Sequence, residues 1–342
     1  MRSLWFAGPG KLEWREVPRP RLAGESDALV RPVIAARCAI DRLIVTGESP
    51  LTGPFPIGHE AVGRVVETGS AVTRVSVGDY VVISPNIACG HCDRCLRGRT
   101  AHCRSTPPGA AYGFPAGGNW GGLYDDLVRV PAADAMLTPI PGGTAATVAD
   151  LAEFVVAGDT LGLGYEIIPG RLAEGRDRIL VLGWAEHGLY QAAFATALGA
   201  ADVLYVDDDP VNRRLAETMG ARVAPGPPDR SHGRFDLVVA ATPDPVWLRR
   251  AFHLLEPEGV VDSIGGFADP TLPAWAMYGL SAVLRVYRGN HGPDSVKATV
   301  DAVARRLVRP STVYSGLVDW EDIPAAMTGP GRKPVAVRAG VL

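Results

Sequence analysis

Two textures of hydrophobic spacing divide the chain. Through the first 150 residues the apolar runs are short and broken by Gly and Pro, as in Ala28-Leu29-Val30, Val62-Gly63-Arg64-Val65-Val66 and Tyr80-Val81-Val82-Ile83. Broken runs of this kind predict a β-rich, distorted barrel with long loops. Over residues 148–165 the pattern turns helical, with apolar side chains at Leu151, Phe154, Val155 and Val156. That spacing predicts a helix leaving the first region. From Arg178 the texture changes again. Ile179-Leu180-Val181-Leu182 is a continuous apolar run, expected of a parallel strand buried on both faces. An Ala-rich helix follows over 189–198, then a second strand over 203–206 that ends at Asp207, then a helix over 210–219 with Pro in its first turn. Further strands are expected at 237–240 and 259–265, with a helix at 246–255 between them. Strand alternating with helix at this spacing means a parallel sheet with right-handed crossovers. One more helix from Asp294 and a final strand over 334–338 return to the first region. The expected domains are therefore 1–158, completed by 293–342, and 159–292.

Composition agrees with two globular domains. The chain has 342 residues, 47% hydrophobic and 21% charged, enough apolar material for two cores. Lys and Arg number 34 against 37 Asp and Glu, a formal net charge of -3. The basic residues are single and mixed with acids, which excludes a nucleic-acid or membrane footprint. The start, Met1-Arg2-Ser3-Leu4-Trp5-Phe6-Ala7, is too short for a signal-peptide core, and no run approaches the roughly 18 apolar residues of a membrane span. A soluble, cytoplasmic protein is expected.

The cysteines sharpen the picture. Four of five fall within fifteen residues, as Cys89-Gly90-His91-Cys92-Asp93-Arg94-Cys95 and, after seven more residues, Cys103. A disulfide framework would be spread evenly along a secreted chain, whereas clustered cysteines in a cytosolic one bind metal. Four thiolates with two-residue gaps can surround one Zn²⁺ tetrahedrally at about 2.3 Å. All four positions are then protein ligands, so the site is structural and holds a lobe without a core of its own. The alternative is four free or redox-active thiols. His91 and His102 lie in the lobe as bystanders, because four sulfurs complete the shell.

The fifth cysteine stands alone in Ala36-Arg37-Cys38-Ala39-Ile40-Asp41, and twenty residues later comes Gly58-His59-Glu60-Ala61-Val62-Gly63, with Gly69 beyond. Separately, a lone Cys reads as a small buried hydrophobe and a lone His as a core residue. Together with the cysteine lobe downstream they resemble the zinc-containing alcohol dehydrogenases of the medium-chain dehydrogenase/reductase family. The resemblance covers essentially the whole chain. It implies a GroES-like distorted β-barrel catalytic domain followed by a Rossmann doubly wound parallel-sheet domain. It also implies that Cys38 and His59 bind a catalytic zinc, with Glu60 a neighbouring or alternate ligand. A further ligand is expected from Ala157-Gly158-Asp159-Thr160-Leu161-Gly162-Leu163-Gly164-Tyr165, where Asp159 is chosen over Asp150 and Glu153. Three protein ligands and one open position make a catalytic arrangement, the open position taking a substrate oxygen. One departure stands beside this site. Where the family usually has Ser or Thr to start a proton relay, this chain has Ile40, and Leu43 occupies a position that is a relay His in some members.

The turn Gly183-Trp184-Ala185-Glu186-His187-Gly188 follows a buried strand and opens a helix, the position of a dinucleotide fingerprint. Gly183 serves the tight turn and Gly188 lets the helix pack on the strand. Ala185 replaces the middle Gly, and Glu186 puts a carboxylate near the phosphate site. The helix N-terminus still offers free N–H groups, and His187 lies at the helix start beside the cofactor. Asp207, 24 residues after Gly183, is placed to bind ribose hydroxyls and repel a 2′-phosphate, so NAD is expected rather than NADP. Asp208 and Asp209 reinforce that field, while Arg213 and Arg214 would oppose it by reaching back. Trp120, in a glycine-rich loop, reads equally as a pocket wall or as loop packing, and His291 as a residue near the cofactor or an interface.

These residues together predict a hydride-transferring oxidoreductase acting on a small-molecule alcohol or carbonyl, with NAD and two zinc ions per chain. The resemblance implies a homodimer or homotetramer. Two alternatives stand beside this expectation. One is a biosynthetic reductase of a conjugated C=C or iminium substrate that dispenses with the relay. The other is a catalytically silent structural or regulatory family member.

Overall fold

The computed structural model describes residues 1–265 and 269–340. The chain forms two compact units, Met1–Leu163 with Gly289–Leu342, and Gly164–Arg288.

The first unit opens with β1 (Arg2–Gly8) and β2 (Lys11–Glu16), an antiparallel hairpin. β3 (Ala28–Ala36) runs directly into α1 (Ala39–Thr46), and β4 (Phe55–Pro56) adds to the free side of β1. β5 (Glu60–Thr68) pairs antiparallel with β3, and β6 (Tyr80–Ile83) with β5. The β3–β5 ladder slips register between Leu29 and Val30 and again between Pro32 and Ile34. Pro32 has no N–H to give a ladder, so the second break falls where the backbone lacks a donor. β7 (Val128–Val130) pairs with β3, and after α2 (Ala133–Met136) β8 (Leu137–Pro139) closes onto β6. Leu4, Phe6, Val30, Ile44, Phe55, Ile57, Val81, Ile83, Tyr124 and Trp320 belong to the core of this unit.

The single helix expected over 148–165 is two. α3 (Val148–Ala152) is capped by Thr147 and Asp150, and α4 (Thr160–Ala173) begins after a stretch of turns. Phe154, Val155, Val156 and Ala157 are all buried, so their spacing reports packing on every side rather than one helical stripe. Gly158 ends the run, and Asp159 sits where α4 starts.

The second unit alternates strand and helix. It contains β9 (Arg178–Leu182), α5 (Ala185–Ala197), β10 (Asp202–Val206), α6 (Pro210–Thr218), β11 (Arg222–Ala224), β12 (Phe235–Ala240), α7 (Pro245–Ala251), β13 (Leu255–Ser263), α8 (Ala274–Leu280) and β14 (Val283–Val286). All pairings are parallel, in the order β11-β10-β9-β12-β13-β14. The order reverses between β9 and β12, the switch point where such sheets open a crevice at their carboxyl ends. Ile179, Leu180, Val181 and Leu182 are wholly buried. α6 and α7 share one starting device. Asp209 and Asp244 accept the N–H two residues on, and Pro210 and Pro245 occupy the first turn. α7 stops at Ala251, short of the expected 255, because β13 already begins at Leu255.

The chain then returns to the first unit as α9 (Pro293–Ala304), β15 (Gly316–Asp319), α10 (Ile323–Thr328) and β16 (Pro334–Val337). β16 pairs antiparallel with β3 and carries β15 on its outer side. Among the described residues no helix is long and apolar enough to cross a membrane.

Candidate active site

Cys38 is the residue between β3 and α1, and it caps the helix with its backbone. Asp41 in the first turn accepts the Cys38 N–H at 3.1 Å through Oδ2. The other Asp41 oxygen lies 3.2 Å from Nδ1 of His59, the residue just before β5, the strand next to β3 in the same sheet. Both side chains are buried, and the Asp41 carboxylate directs Nε2 of His59 the opposite way. There Nε2 lies 3.3 Å from Oδ2 of Asp159, at the start of α4. The Cys38 sulfur, an imidazole nitrogen of His59 and a carboxylate oxygen of Asp159 all fall within 4.8 Å of one another. One sulfur, one nitrogen and one oxygen donor converging in a buried place suit Zn²⁺ with a fourth position left open. The Asp41–His59 contact is the outer-shell partner that orients such an imidazole.

The electrostatics of the three donors follow from burial. Burial pushes the Cys38 thiol up, against the pull of His59. Burial alone would lower the His59 imidazole, but the carboxylates of Asp41 and Asp159 outweigh it and hold it well above its ordinary value. Asp159 is held well below the usual carboxylate range, because hydrogen bonds from His291 and His59 overcome its desolvation. A cation at this place would replace protons as the charge that reconciles a buried thiolate with a buried carboxylate.

Glu60, expected beside the metal ligands, turns away from them. Its Oε2 is 2.5 Å from Nζ of Lys333, and its Oε1 accepts both the backbone N–H and the hydroxyl of Thr160. Lys333 and Glu60 are each fully buried, and Lys333 also donates to the Arg37 carbonyl at 3.2 Å. The carboxylate is thus committed to a buried ammonium ion. Asp150 and Glu153, the rivals to Asp159, serve structure: Asp150 completes the α3 cap with Thr147, and Glu153 accepts from Ser311. Ile40 and Leu43 are half-buried apolar side chains, so neither position can carry a proton.

The four-cysteine lobe has almost no apolar core: Ala88, Cys95 and Cys103 are buried together with Cys89 and Cys92 against them. Sγ of Cys89 is 4.0 Å from that of Cys95, and Sγ of Cys92 is 4.0 Å from that of Cys103. Zn–S bonds of about 2.3 Å place tetrahedral sulfurs roughly 3.8 Å apart, so the spacing fits one ion. Backbone N–H groups of Cys89, Cys92 and Ser105 point at cysteine sulfurs at 3.4 Å, and the Arg104 N–H is the largest influence bringing the Cys92 thiol down to about 6. Backbone N–H groups likewise bring the Cys103 thiol down against its burial, whereas burial pushes the Cys95 thiol up. Nδ1 of His91 donates to the Cys89 carbonyl, 2.9 Å away, and His102 is exposed.

In the second unit the Gly183–Gly188 turn lies at the carboxyl end of β9. A Cβ on Gly183 would come 2.4 Å from the Tyr205 hydroxyl and 2.6 Å from Asp207, and one on Gly188 would come 2.9 Å from Gly183 Cα. The turn and helix are pressed together as a pyrophosphate cradle requires. Ala185 takes φ 46°, the left-handed conformation that the missing middle Gly would adopt without strain. Glu186 is fully buried in the first turn of α5, and His187 stacks on Trp184 with ring centroids 5.4 Å apart. Asp207 follows β10. It accepts from the Tyr205 hydroxyl at 2.6 Å, from Asn212 at 2.9 Å and from the Asp209 N–H at 2.8 Å. Three of about four lone-pair sites are used, which leaves room for one further hydroxyl donor. Arg213 does reach back, donating to the carbonyls of Asp207 and Asp208 at 2.6 and 2.9 Å, so its charge offsets part of the negative field expected there. Trp120 packs its own loop, donating to the Gly117 carbonyl at 2.9 Å with Arg129 over its ring.

The alcohol dehydrogenase GroES-like domain matches residues 24–142. A probable zinc-binding alcohol dehydrogenase of Mycobacterium tuberculosis is 31% identical over 271 residues, which cover 78% of this chain and 68% of that protein. The chain belongs to the zinc-containing alcohol dehydrogenases of the medium-chain dehydrogenase/reductase family. A glutathione-independent formaldehyde dehydrogenase of Pseudomonas aeruginosa is 31% identical over 233 residues, 65% of this chain, and the match spans 58% of that relative's length. The alcohol dehydrogenase of Thermus sp. ATN1 has the same fold, with a TM-score of 0.86 and 27% identity over 99% of this chain and 100% of that one. The matched GroES-like domain lies within the first unit, and the parallel sheet of the second is Rossmann-like. These zinc alcohol dehydrogenases are named for oxidations, which favours neither a relay-free reductase nor a silent member.

Asp41 and Lys333 escaped sequence reading, and His291, expected near the cofactor or an interface, lies against Asp159 instead. Asp41 carried a signal, an acid three residues after a helix-capping Cys38. His291 carried a weaker one, a histidine between Gly289 and Gly292. Lys333 carried none, since its partner Glu60 is 273 residues away.

Proposed function

We propose that this chain is a zinc-dependent, NAD-linked dehydrogenase interconverting a small alcohol and its carbonyl compound. The convergence of Cys38, His59 and Asp159 as three buried donors carries this reading. Those three would hold a catalytic zinc, and Cys89, Cys92, Cys95 and Cys103 a structural one, giving two ions per chain. When bound, the catalytic ion supplies Lewis acidity at a substrate oxygen and the nicotinamide supplies the hydride acceptor or donor. The chain's own residues set the geometry. Asp41 holds the His59 ring by Nδ1, and Lys333 with Thr160 keeps Glu60 out of the donor set. Gly183, Ala185, Glu186, His187 and Gly188 form the cofactor turn, whose helix N-terminus faces the phosphates. Asp207 retains one acceptor site for a ribose hydroxyl, and its charge disfavours a 2′-phosphate, which supports NAD over NADP. The five cysteines form no disulfide, in keeping with a reducing cytoplasm. The open outer edge of β14 supports assembly with a second copy.

Metal analysis of the purified chain should give about two zincs per chain, falling by one in Cys38→Ala. Reduction of NAD at 340 nm is to be followed with a panel of primary and secondary alcohols, diols and formaldehyde, the last because of the formaldehyde dehydrogenase relative. Loss of Lewis acidity removes several kcal/mol of charge stabilisation, so turnover in Cys38→Ala should fall about 1,000-fold. A parent chain holding one zinc, or a Cys38→Ala chain with unchanged turnover, refutes the reading.

A further inference from the structure

We infer that His291 is a positioning residue for the active site: its Nε2–H fixes Asp159 so that one carboxylate oxygen is kept for the metal, and the four-cysteine lobe braces the turn that carries it. This rests on the reading of Cys38, His59 and Asp159 as a metal site.

Nε2 of His291 lies 3.1 Å from Oδ1 of Asp159, while Oδ2 of the same carboxylate faces Nε2 of His59 at 3.3 Å. An ionised carboxylate only accepts, so Nε2 of His291 carries the proton. The two oxygens therefore have separate duties, Oδ1 toward His291 and Oδ2 toward the donor set. A carboxylate without that anchor is free to rotate or to bind with both oxygens, and outer-shell hydrogen bonds of this kind set ligand orientation.

The backbone around His291 is shaped to put the ring there. His291 is 4% exposed and adopts φ 51°, a conformation most readily made by Gly or Asn. Such conformations persist only where the surroundings over-determine them. Here they do. A Cβ on Gly289 would come 2.1 Å from His291 Nε2, so the ring occupies space that only a glycine leaves. Ser84 donates to the His291 carbonyl at 2.9 Å, and Asn86 donates to the carbonyls of Gly289 and Asn290, both at 2.9 Å. The Thr100 hydroxyl also donates to the Asn290 carbonyl. Thr100 opens the short 3₁₀ turn that leads into Cys103, so the clamp reaches into the cysteine lobe. Thr100, Asn290, His291 and Asp159 would thereby be steadied in sequence by the lobe once its four cysteines hold a metal.

Cobalt substituted for zinc reports the geometry without turnover. The absorption of the cobalt-loaded parent minus that of cobalt-loaded Cys38→Ala isolates the Cys38 site. His291→Leu should shift those bands and weaken metal retention there about 10–100-fold. His291→Gln, whose amide N–H can still donate, should restore most of both. Thr100→Val should move the bands in the same direction by a smaller amount. The thiolate–cobalt bands of the cysteine lobe, unchanged throughout, show that each variant is folded. Bands and retention unaltered in His291→Leu overturn the assignment, as does a His291→Gln chain no better than His291→Leu. Unmoved bands in Thr100→Val overturn the bracing by the lobe. A parent without any Cys38-dependent band refutes the metal reading itself, an outcome distinct from a parent that has the band and a His291→Leu chain that keeps it.

Discussion

Asp125 shows what burial does to a carboxyl that gains too little in return. It is 3% exposed, accepts the Gly122 N–H at 3.2 Å, and lies next to Asp126. Desolvation pushes it up to about 7, with Ser3 and the Gly122 N–H pulling the other way. The folded state therefore holds a proton that the unfolded chain releases near pH 4, and ionisation is penalised only in the fold. Stability is lost as pH rises from about 4 to 7, and the penalty is complete above 7. Asp125→Asn removes the titration and keeps an acceptor for Gly122. Relative to the parent it should gain about 2–3 kcal/mol more at pH 8 than at pH 5. Unfolding followed at both pH values checks this, and a variant-to-parent difference independent of pH rejects it. The same local physics decided which site residues could be read from sequence. Cys89, Cys92, Cys95 and Cys103 are legible because two-residue gaps place their sulfurs around one point without help from the fold. Asp207 is legible by its place after a buried strand. Its hydrogen bonds to Tyr205 and Asn212 are not, because they depend on side-chain directions at the end of β10.

Between α10 and β16 the chain forms a strap that encloses Arg37 and inserts Lys333. The Arg37 guanidinium donates to the carbonyls of Ala326, Met327, Gly329, Gly331 and Arg332, and Lys333 then pairs with Glu60 behind His59. An ion pair buried on both sides contributes little net stability, but breaking it strands a charge. Lys333→Met should therefore cost about 3–5 kcal/mol in unfolding of the first unit. Lys333→Met with Glu60→Gln should recover at least about half of that, since the remaining amide is neutral. Equal losses in the single and double variants would mean that Lys333 acts by packing alone. Elements were legible in proportion to how much of their own burial they carry. β9, β10 and β12 carry the continuous apolar runs Ile179–Leu182, Val203–Val206 and Leu237–Ala240 and announce themselves. The 148–165 stretch misleads because Phe154 to Ala157 are buried on all sides, which imitates a helical stripe. α8 and β14 left no signal. Trp275, Tyr278, Val283 and Val286 are exposed while Met277, Leu280 and Leu284 only partly bury against the core, so apolar residues lie on both faces and neither element shows a one-sided stripe.

Those exposed residues bear on what the whole molecule does in solution. β14 is the last strand of the parallel sheet, and its outer edge has no partner strand among the described residues. Val286 is 72% exposed on it, and the stacked rings of Trp275 and Tyr278 are 84% and 77% exposed on α8 just before it. The opposite edge differs. There Arg222 of β11 is tied to Asp202 of β10 at 2.8 Å, a charged edge of the kind that resists pairing. β14 also exposes Arg285 between Leu284 and Val286, yet an open edge flanked by exposed apolar side chains invites pairing unless something covers it, and the simplest occupant is a second copy. Two β14 strands related by a two-fold axis run antiparallel, so each supplies the donors and acceptors the other lacks, and α8 meets its own image beside them. A stable dimer needs roughly 1,200–2,000 Å² of total burial, which paired edges and two aromatic stacks can contribute to. Sedimentation should give two chains per particle for the parent at micromolar concentration. Val286→Lys places like charges opposite one another across the axis and should give single chains that unfold at lower temperature. A parent that sediments as one chain, or a Val286→Lys protein that remains paired, would show that this edge is covered by something else or left to solvent.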